Sequence, residues 1–157
     1  MLKSSGPTAR RRRAKHARLK REENANKAKV RARDGRCRFP LCGCAAQHLF
    51  LEVSHSEHKG MGGDPTGERS APELMVYLCN WRHRIARYSI DRGRLRWVPL
   101  TPAGANGPIA WEMFMDNAVP GRPGGWVELA RELELGRLAP IDPLVLPILQ
   151  DLAGMKT

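Results

Sequence analysis

The sequence predicts a small α+β protein in three parts: a basic arm over residues 1–35, a metal-stabilised core over residues 36–100, and an extension over residues 101–157 that packs on the core. Three observations support this prediction. The 157 residues are enough for one modest domain and an arm. Only 6% of them are aromatic, which indicates a small core of the kind that a bound metal often stabilises. All the cysteines lie between residues 37 and 79, where such a metal would bind.

The arm carries the whole net charge of the protein. Residues 1–36 contain 14 Lys and Arg and three acidic residues, a net charge of +11, and the remaining residues are neutral in sum. Residues 8–33 are rich in Ala, Arg, Lys and Glu and lack Pro and Gly, so they predict a helix, with a disordered arm as the alternative. Thr8 could cap its start, and Asp34-Gly35 is a turn signal at its end. Its apolar stripe is poor, which predicts a helix that faces solvent or DNA rather than the core.

A concentrated basic segment is typical of proteins that bind polyanions. Contacts with phosphates release counterions and give an affinity that depends strongly on salt and little on sequence. We therefore expect a nucleic acid as the partner, either DNA or RNA, in preference to a membrane. The competing interpretations of the charge are a solvated helix, a tail that aids solubility, and a segment that binds an acidic membrane surface. The arginines expected to contact phosphates in the arm are Arg10, Arg11, Arg12 and Arg13.

Cysteine usage and the absence of apolar runs suggest where the protein works. No apolar run approaches the roughly 18 residues that span a bilayer, and the basic N-terminus lacks the apolar segment of a secretory signal. The sequence therefore predicts a reducing compartment, the cytoplasm. Clustered cysteines in such a compartment favour a bound metal over a disulfide.

Short apolar segments separated by turn signals follow the arm. Residues 50–53 and 75–78 predict two strands on either side of a glycine-rich loop. Asn80 could cap a helix that continues to Ile90, and residues 94–99 predict a third strand.

The extension is expected to contain a strand and a helix. Residues 109–115 predict the strand. Residues 126–138 predict the helix, because apolar residues recur there at helical spacing. This helical extension is expected to pack on the core, since its apolar stripe needs a partner. Dimerisation and the binding of another protein are the alternatives.

Cys37, Cys42 and Cys79 are the expected zinc ligands. Soft thiolates favour zinc, and a structural zinc site normally has four ligands. The fourth ligand is left open between Cys44 and His48, because Cys44 follows Cys42 by only two residues, which strains simultaneous ligation without excluding it. The alternative is that the cysteines are reduced and pack as small buried apolar residues.

His55 and His83 are the expected catalytic histidines. His55 follows the first predicted strand, beside the glycine-rich loop, where an imidazole could act as a general base near neutral pH. His83 would lie one turn into the following helix and could bind a hard divalent cation. Cleavage of a phosphodiester needs such a base together with a metal that stabilises negative charge. Lys59 and Arg84 would flank this site and bind phosphates, although ordinary surface charge explains them equally well.

The segments CRFPLCGC, LEVSHSEHKGMGGDP and PELMVYLCNWRHR, and the later LRWVPLTPAGANGPIAW, resemble the HNH endonuclease family. The resemblance covers residues 35–102 and is to small phage- and prophage-type members with a cysteine knuckle and a Gly-Met-Gly-Gly loop. It implies a ββα-metal fold that hydrolyses phosphodiester bonds in DNA, in the cytoplasm of a bacterium or of a phage-infected host cell. It also implies that His55 is the general base and that His83 is a ligand of a catalytic Mg²⁺ or Mn²⁺. The zinc ligands that it implies are Cys37, Cys42 and Cys79.

Three positions depart from the family pattern. Ser54 stands before the base, where Asp or His often ligates the metal, and Glu73 or Leu74 stands where the middle Asn of the motif is expected. Arg82 stands where the last zinc ligand often lies. The candidates for a replacement metal ligand are Asp64, Glu57 and His58. The alternative function is a catalytically degenerate, zinc-bound nucleic-acid-binding module, and a third is a structural component of a ribonucleoprotein.

Overall fold

The computed structural model describes residues 7–40, 42, 44, 50–56, 64, 66–116 and 124–148. It shows an α+β protein with an N-terminal helix and two antiparallel sheets, which confirms the predicted class in this coarse form. The helix and strands are α1 (Pro7–Asp34), β1 (Leu51–His55), β2 (Met75–Cys79), β3 (Leu95–Pro99), β4 (Ile109–Met115), β5 (Gly125–Glu134) and β6 (Arg137–Leu138). Strands β1 and β2 form a two-stranded sheet, and the other strands form a second sheet in the order β3-β4-β5-β6.

Helix α1 confirms the helix predicted for the arm. It runs from Pro7 to Asp34, one residue beyond the predicted range at each end. The chain leaves it through Gly35, whose φ of 63° is left-handed and whose N–H donates to the Arg31 carbonyl at 2.9 Å. In the part of the chain that the structure describes, no helix is both long enough and apolar enough to cross a membrane.

The second half of α1 packs against the protein, so the expectation of a helix that faces away from the core is wrong there. Residues of reduced exposure recur along one face at helical spacing. They are Leu19, Glu23, Asn26, Lys27, Val30, Arg33 and Asp34. Val30 is fully buried in a small cluster with Val53 and Met75. The face of α1 that packs against the protein contains few apolar residues and so shows no hydrophobic periodicity. The sequence therefore could not predict that α1 packs there.

Polar contacts hold the end of α1 on strand β2. The Asp34 carboxylate accepts a hydrogen bond from the Tyr77 N–H at 2.8 Å. The Arg33 guanidinium donates to the carbonyls of Pro72 at 2.9 Å and Met75 at 2.7 Å. Strand β1 pairs with the opposite edge of β2. The side chains of α1 therefore supply hydrogen-bond partners for backbone groups that β1 leaves unpaired. The second half of α1 is therefore fixed on the β1–β2 sheet.

Strands β1 and β2 pair antiparallel, with Leu51 opposite Cys79 and His55 opposite Met75. Their bounds agree with the predicted strands to within two residues. The register places His55 at one end of the hairpin and Cys79 at the other. The hairpin therefore separates the candidate catalytic residue from the cysteine cluster.

The helix expected from Asn80 to Ile90 is wrong, because a single wide turn forms at Trp81–Ile85. The Ala86 N–H donates to the Trp81 carbonyl at 2.9 Å, which closes this turn over five residues. The chain then folds back instead of continuing, and the Ile90 N–H donates to the Arg82 carbonyl at 3.1 Å. Backbone hydrogen bonds between the turn and the following loop thus replace those of a longer helix.

Strand β5 stands where a helix was predicted over residues 126–138, so the prediction of a helical extension is wrong for these residues. Strand β5 pairs with β4, and the register shifts beside Trp111 so that β5 contains one extra residue. As a result the neighbours Leu129 and Ala130 are both buried, which breaks the alternation of a regular strand. The helical spacing in the sequence also included Trp126, Leu133 and Leu135, whose side chains are exposed, so it did not mark one buried face.

The main hydrophobic core lies between the four-stranded sheet and the cysteine segment. Trp111 is fully buried, and Phe39 packs edge-on against it with ring centroids 5.3 Å apart. Leu78 of β2 belongs to the same cluster. Because β3 precedes residue 100 and β4 follows it, the sheet and its core span the boundary drawn there from the sequence.

A buried ion pair joins the cysteine segment to β5. The side chains of Arg38 and Glu132 are 4% and 2% exposed, with Nη2 and Oε2 2.7 Å apart. Arg38 also donates to the carbonyls of Ala105 and Gly107, and Glu132 accepts from the Ile109 N–H at 3.1 Å. These hydrogen bonds offset the loss of water around both charges.

Glu132→Gln is expected to lower the free energy of unfolding by about 3 kcal/mol, because it leaves the buried Arg38 guanidinium without its main counter-charge. Glu128→Gln is the matched control, since Glu128 lies on the same strand and pairs with Arg131 at the surface. A surface pair contributes less than about 1 kcal/mol. Urea unfolding of both variants measures the difference. Equal losses of unfolding free energy in the two variants would show that the buried pair stabilises the fold no more than the surface pair does.

Candidate metal centre and active-site cleft

Four cysteine sulfurs converge at one point. The Sγ atoms of Cys37, Cys42, Cys44 and Cys79 all lie within 4.8 Å of one another, and those of Cys42 and Cys79 are 3.7 Å apart. Cys79 ends β2, and the other three lie on the segment between α1 and β1. All four are free cysteines rather than disulfides. The cluster could hold a metal ion, and four thiolates are a common ligand set of structural zinc.

Backbone amides donate hydrogen bonds to these sulfurs. The Cys79 N–H lies 3.4 Å from Cys37 Sγ. The backbone of Arg82 donates to Cys79, and the backbone of Cys44 donates to Cys42. Such donors favour the ionised form of a thiol, which is the form that binds a metal.

Close packing of the four cysteine side chains lowers the pKa of one thiol and raises the pKa values of others. Hydrogen bonds with Cys37 and then Cys79 lower the pKa of Cys42 to about 2. The hydrogen bond to Cys42, followed by that to Cys79, raises the pKa of Cys37, and burial raises the pKa of Cys44 to about 12. The hydrogen bonds from neighbouring thiols thus favour the ionised form of Cys42. A divalent cation at the centre would replace those protons and allow all four groups to ionise.

Cys44 supplies the fourth sulfur of the cluster. The other candidate, His48, lies outside the described residues. The interval of two residues between Cys42 and Cys44 does not prevent both sulfurs from facing the centre. Arg82, at the position where the family pattern often places a ligand, is buried with its guanidinium 4.7 Å from the centroid of the Phe39 ring. Arg82 thus packs on an aromatic ring, and Cys44 completes the set of four.

His55 and His83 line one open cleft of about 530 Å³. Residues of α1, β1, β3 and β5, together with the Trp81–Ile85 turn and the loop after it, form its walls. Other charged and aromatic residues of the lining are Glu23, Lys27, Arg84, Asp91, Arg96, Trp97 and Trp126. The fold therefore brings together the two histidines that the sequence singled out, and surrounds them with charges of both signs.

A backbone carbonyl holds the His55 ring in one orientation. Nδ1 of His55 lies 2.9 Å from the Arg69 carbonyl oxygen, and since a carbonyl can only accept, Nδ1 donates. In the neutral ring Nε2 then carries the lone pair. This nitrogen lies 3.9 Å from Glu23 Oε1 of α1, and Lys27 Nζ lies 2.7 Å from the same oxygen. His55 is thus oriented as a proton acceptor within the cleft.

His83 lies between two carboxylates. Its Nδ1 is 2.8 Å from Glu52 Oε2, and its Nε2 is 3.4 Å from Asp91 Oδ1. Arg84 Nε also lies 2.9 Å from Glu52 Oε2. The sequence did not indicate either carboxylate as a site residue, because Glu52 lies within a short apolar strand and Asp91 within an ordinary turn signal.

The residues considered as replacement metal ligands lie elsewhere or outside the described residues. Ser54 is fully buried, and its hydroxyl has no hydrogen-bond partner within the described ranges. Asp64 organises its own loop, where it accepts from the Gly67 N–H at 3.0 Å and the Ser70 hydroxyl at 2.8 Å. Two further candidate ligands, Glu57 and His58, and the predicted phosphate contact Lys59 lie outside the described residues.

The arginines predicted to contact phosphates lie in two places. Those at residues 10–13 are exposed on the first turns of α1. Arg84 lines the cleft, with 59% of its side chain exposed. The sequence missed a further pair in the cleft, where the Arg96 guanidinium lies 4.0 Å from the centroid of the Trp126 ring. This pair was not foreseen because residue 126 was assigned to a helix.

Comparison with known proteins gives no relative from which a function could be transferred. No family model, no curated protein and no solved structure matches this chain. The function is therefore inferred from the chemistry of the cleft and of the cysteine cluster.

Proposed function

We propose that this protein is a metal-dependent endonuclease of the HNH type that hydrolyses phosphodiester bonds in DNA. The observation that carries the proposal is the meeting of His55 and His83 in one open cleft. The order of β1 and β2 agrees with the two strands of a ββα-metal core, and the single turn at Trp81–Ile85 stands where that core has its helix. A zinc ion in the cysteine cluster would stabilise the Cys79 end of the hairpin.

His55 is the general base of the proposed reaction. Its Nδ1 is engaged by the Arg69 carbonyl, so Nε2 takes the proton of the attacking water. The imidazolium that forms lies near the Glu23 carboxylate, 3.9 Å from Nε2, which favours the charged ring. Base and nearby carboxylate come from different elements, β1 and α1, and the docking of α1 brings them together.

The cleft also offers partners for the charged groups of the substrate. A bound Mg²⁺ or Mn²⁺ supplies positive charge that stabilises the scissile phosphate and the departing 3′ oxygen. His83 is the residue that would hold such an ion, since Glu52 fixes its ring at 2.8 Å. Arg84 lines the same cleft and is suited to contact a phosphate oxygen.

The two halves of α1 have different roles in the proposed function, the first in binding DNA and the second in forming the cleft. The exposed arginines at residues 10–13 attract the DNA backbone. The docked half contributes Glu23 and Lys27 to the cleft. DNA held by the first half is thereby kept close to His55.

Cleavage of supercoiled plasmid by zinc-loaded protein tests the proposed function. Open circles are expected to accumulate in Mg²⁺ or Mn²⁺ and to be absent in EDTA, because the phosphate needs a divalent cation. A protein that carries one zinc per chain and binds DNA, yet leaves the plasmid intact with every divalent ion tested, would refute it.

A non-catalytic, zinc-bound module that binds nucleic acid is the second candidate function. The burial of Ser54 favours it, because the side chain before His55 is then unable to ligate an ion in the cleft. This alternative predicts salt-sensitive binding of DNA without cleavage in any divalent ion tested. The plasmid assay therefore separates the two candidates.

Changing the arginines at residues 10–13 to glutamine is expected to weaken binding to all DNA sequences alike. Each lost phosphate contact should reduce the slope of log K against log salt by about 0.9 for duplex DNA. Arg131→Gln combined with Arg137→Gln is the control, because both arginines pair with neighbouring glutamates. Fluorescence anisotropy of a labelled duplex measures the slope. If the first variant keeps the wild-type slope, α1 is not part of the DNA-binding surface.

A further inference from the structure

We propose that Asp91 and His83 together bind the divalent cation of the cleft, and that Glu52 positions the His83 ring. The inference rests on the proposed function, because it assigns the ligands of the ion that cleavage would require. Ser54 is fully buried, so a second protein ligand has to come from another part of the chain. Asp91 follows the Trp81–Ile85 turn and lines the same cleft as His55.

The two ring nitrogens of His83 play different parts. Nδ1 lies 2.8 Å from Glu52 Oε2, and since a carboxylate can only accept, Nδ1 donates and Nε2 carries the lone pair of the neutral ring. Nε2 lies 3.4 Å from Asp91 Oδ1. Two electron-pair donors at this distance repel each other unless a proton or a metal ion lies between them. An open cleft beside them makes room for the metal ion.

The distance suits two ligands of one ion. Mg²⁺ binds its ligands at about 2.1 Å in octahedral geometry, so neighbouring ligand atoms lie about 3 Å apart. Such an ion keeps several waters and takes phosphate oxygens of a substrate, so two protein ligands are enough. The Asp91 side chain is 33% exposed and that of His83 is 10% exposed, which leaves the ion accessible from the cleft.

Backbone hydrogen bonds bring Asp91 to His83. The Asp91 N–H donates to the His83 carbonyl at 3.0 Å, and the Gly93 N–H donates to the Ile90 carbonyl at 2.9 Å. These hydrogen bonds hold the backbone of Asp91 beside that of His83.

Glu52 acts from the other side of the imidazole. A ligating histidine commonly donates its second N–H to a carboxylate, which fixes the ring and makes the ligating nitrogen more basic. Arg84 Nε is 2.9 Å from Glu52 Oε2 and 3.9 Å from Asp91 Oδ2. The guanidinium is therefore closer to the positioning carboxylate than to the ligating one.

Mn²⁺ titration of the zinc-loaded protein, followed by the EPR signal of free Mn²⁺, tests this assignment. The wild type is expected to bind one Mn²⁺. Asp91→Asn and His83→Gln are expected to weaken this binding by about tenfold or more, and Glu52→Gln by about 10- to 100-fold. Asp116→Asn is the matched control, because Asp116 pairs with Arg94 and does not line the cleft. Its Mn²⁺ affinity should equal that of the wild type.

Zinc content and melting temperature identify variants that retain the fold. A wild type without a Mn²⁺ site, or folded Asp91→Asn and His83→Gln variants with wild-type affinity, would overturn the assignment. Loss of the Mn²⁺ site in Asp91→Asn would support it even if the wild type cut no plasmid, in which case the nuclease proposal alone fails. If the wild type cleaves plasmid and Asp91→Asn keeps the wild-type Mn²⁺ affinity, the ligand assignment is wrong and the nuclease proposal stands.

Discussion

Replacing Cys79 with serine is expected to release zinc and to lower the free energy of unfolding by about 5 kcal/mol or more, since structural zinc contributes about 10–16 kcal/mol in small domains. Cys79 is fully buried at the end of β2, whereas the other three cysteines lie between α1 and β1. It is thus the ligand that ties the hairpin to the preceding segment. Without it the remaining sulfurs cannot anchor β2 through the metal.

Zinc per chain and thermal unfolding with and without a chelator measure the effect of Cys79→Ser. The wild type is expected to melt at a lower temperature in chelator, and the variant to be insensitive to it. Cys79→Ala is the control, because it removes the ligand without burying a hydroxyl, which alone costs about 1–3 kcal/mol. A serine variant that keeps one zinc per chain and the wild-type melting temperature would show that the cluster holds no structural metal.

Replacing His55 with alanine is expected to slow plasmid cleavage by about 100- to 10,000-fold, the range for loss of a positioned general base. His83 is the other histidine among the described lining residues, and it lies between Glu52 and Asp91. Zinc content should be unchanged, because His55 lies at the opposite end of the hairpin from Cys79. The rate of nicking under excess protein measures the effect.

His55→Asn separates catalysis from packing. The His55 ring donates to the Arg69 carbonyl, so alanine also removes a contact with the loop. Asparagine can donate a similar hydrogen bond and cannot act as a base near neutral pH. We expect it to restore the melting temperature toward that of the wild type without restoring cleavage. Recovery of cleavage by the asparagine variant would make His55 a structural residue.

The sequence predicted those elements whose secondary structure is indicated by neighbouring residues along the chain. Residues 8–33 lack helix breakers, and the strands around the glycine-rich loop are short apolar runs bounded by turn residues. The signal fails at β5, where the extra residue at the bulge puts Leu129 and Ala130 on the buried side together. It also fails for the docked face of α1, because hydrogen bonds from Arg33 to carbonyls have no periodic signature.

The candidate site was predictable where residue type alone indicates chemistry. Histidines and clustered cysteines are uncommon enough to be singled out, and the cluster of four sulfurs includes each cysteine proposed as a ligand. Glu52 and Asp91 were missed because carboxylates are common and these two reach His83 only through tertiary contacts. The hydrogen bonds that fold the chain back after the Trp81–Ile85 turn determine where Asp91 lies.

Nicking of supercoiled plasmid in Mn²⁺ by zinc-loaded wild type, His55→Ala and His16→Ala tests most directly whether the cleft is a nuclease active site. His16 is exposed on α1 and does not line the cleft, so it controls for the loss of an imidazole. The proposed function predicts equal rates for the wild type and His16→Ala, and a rate about 100- to 10,000-fold lower for His55→Ala. The same rate in all three proteins would contradict it.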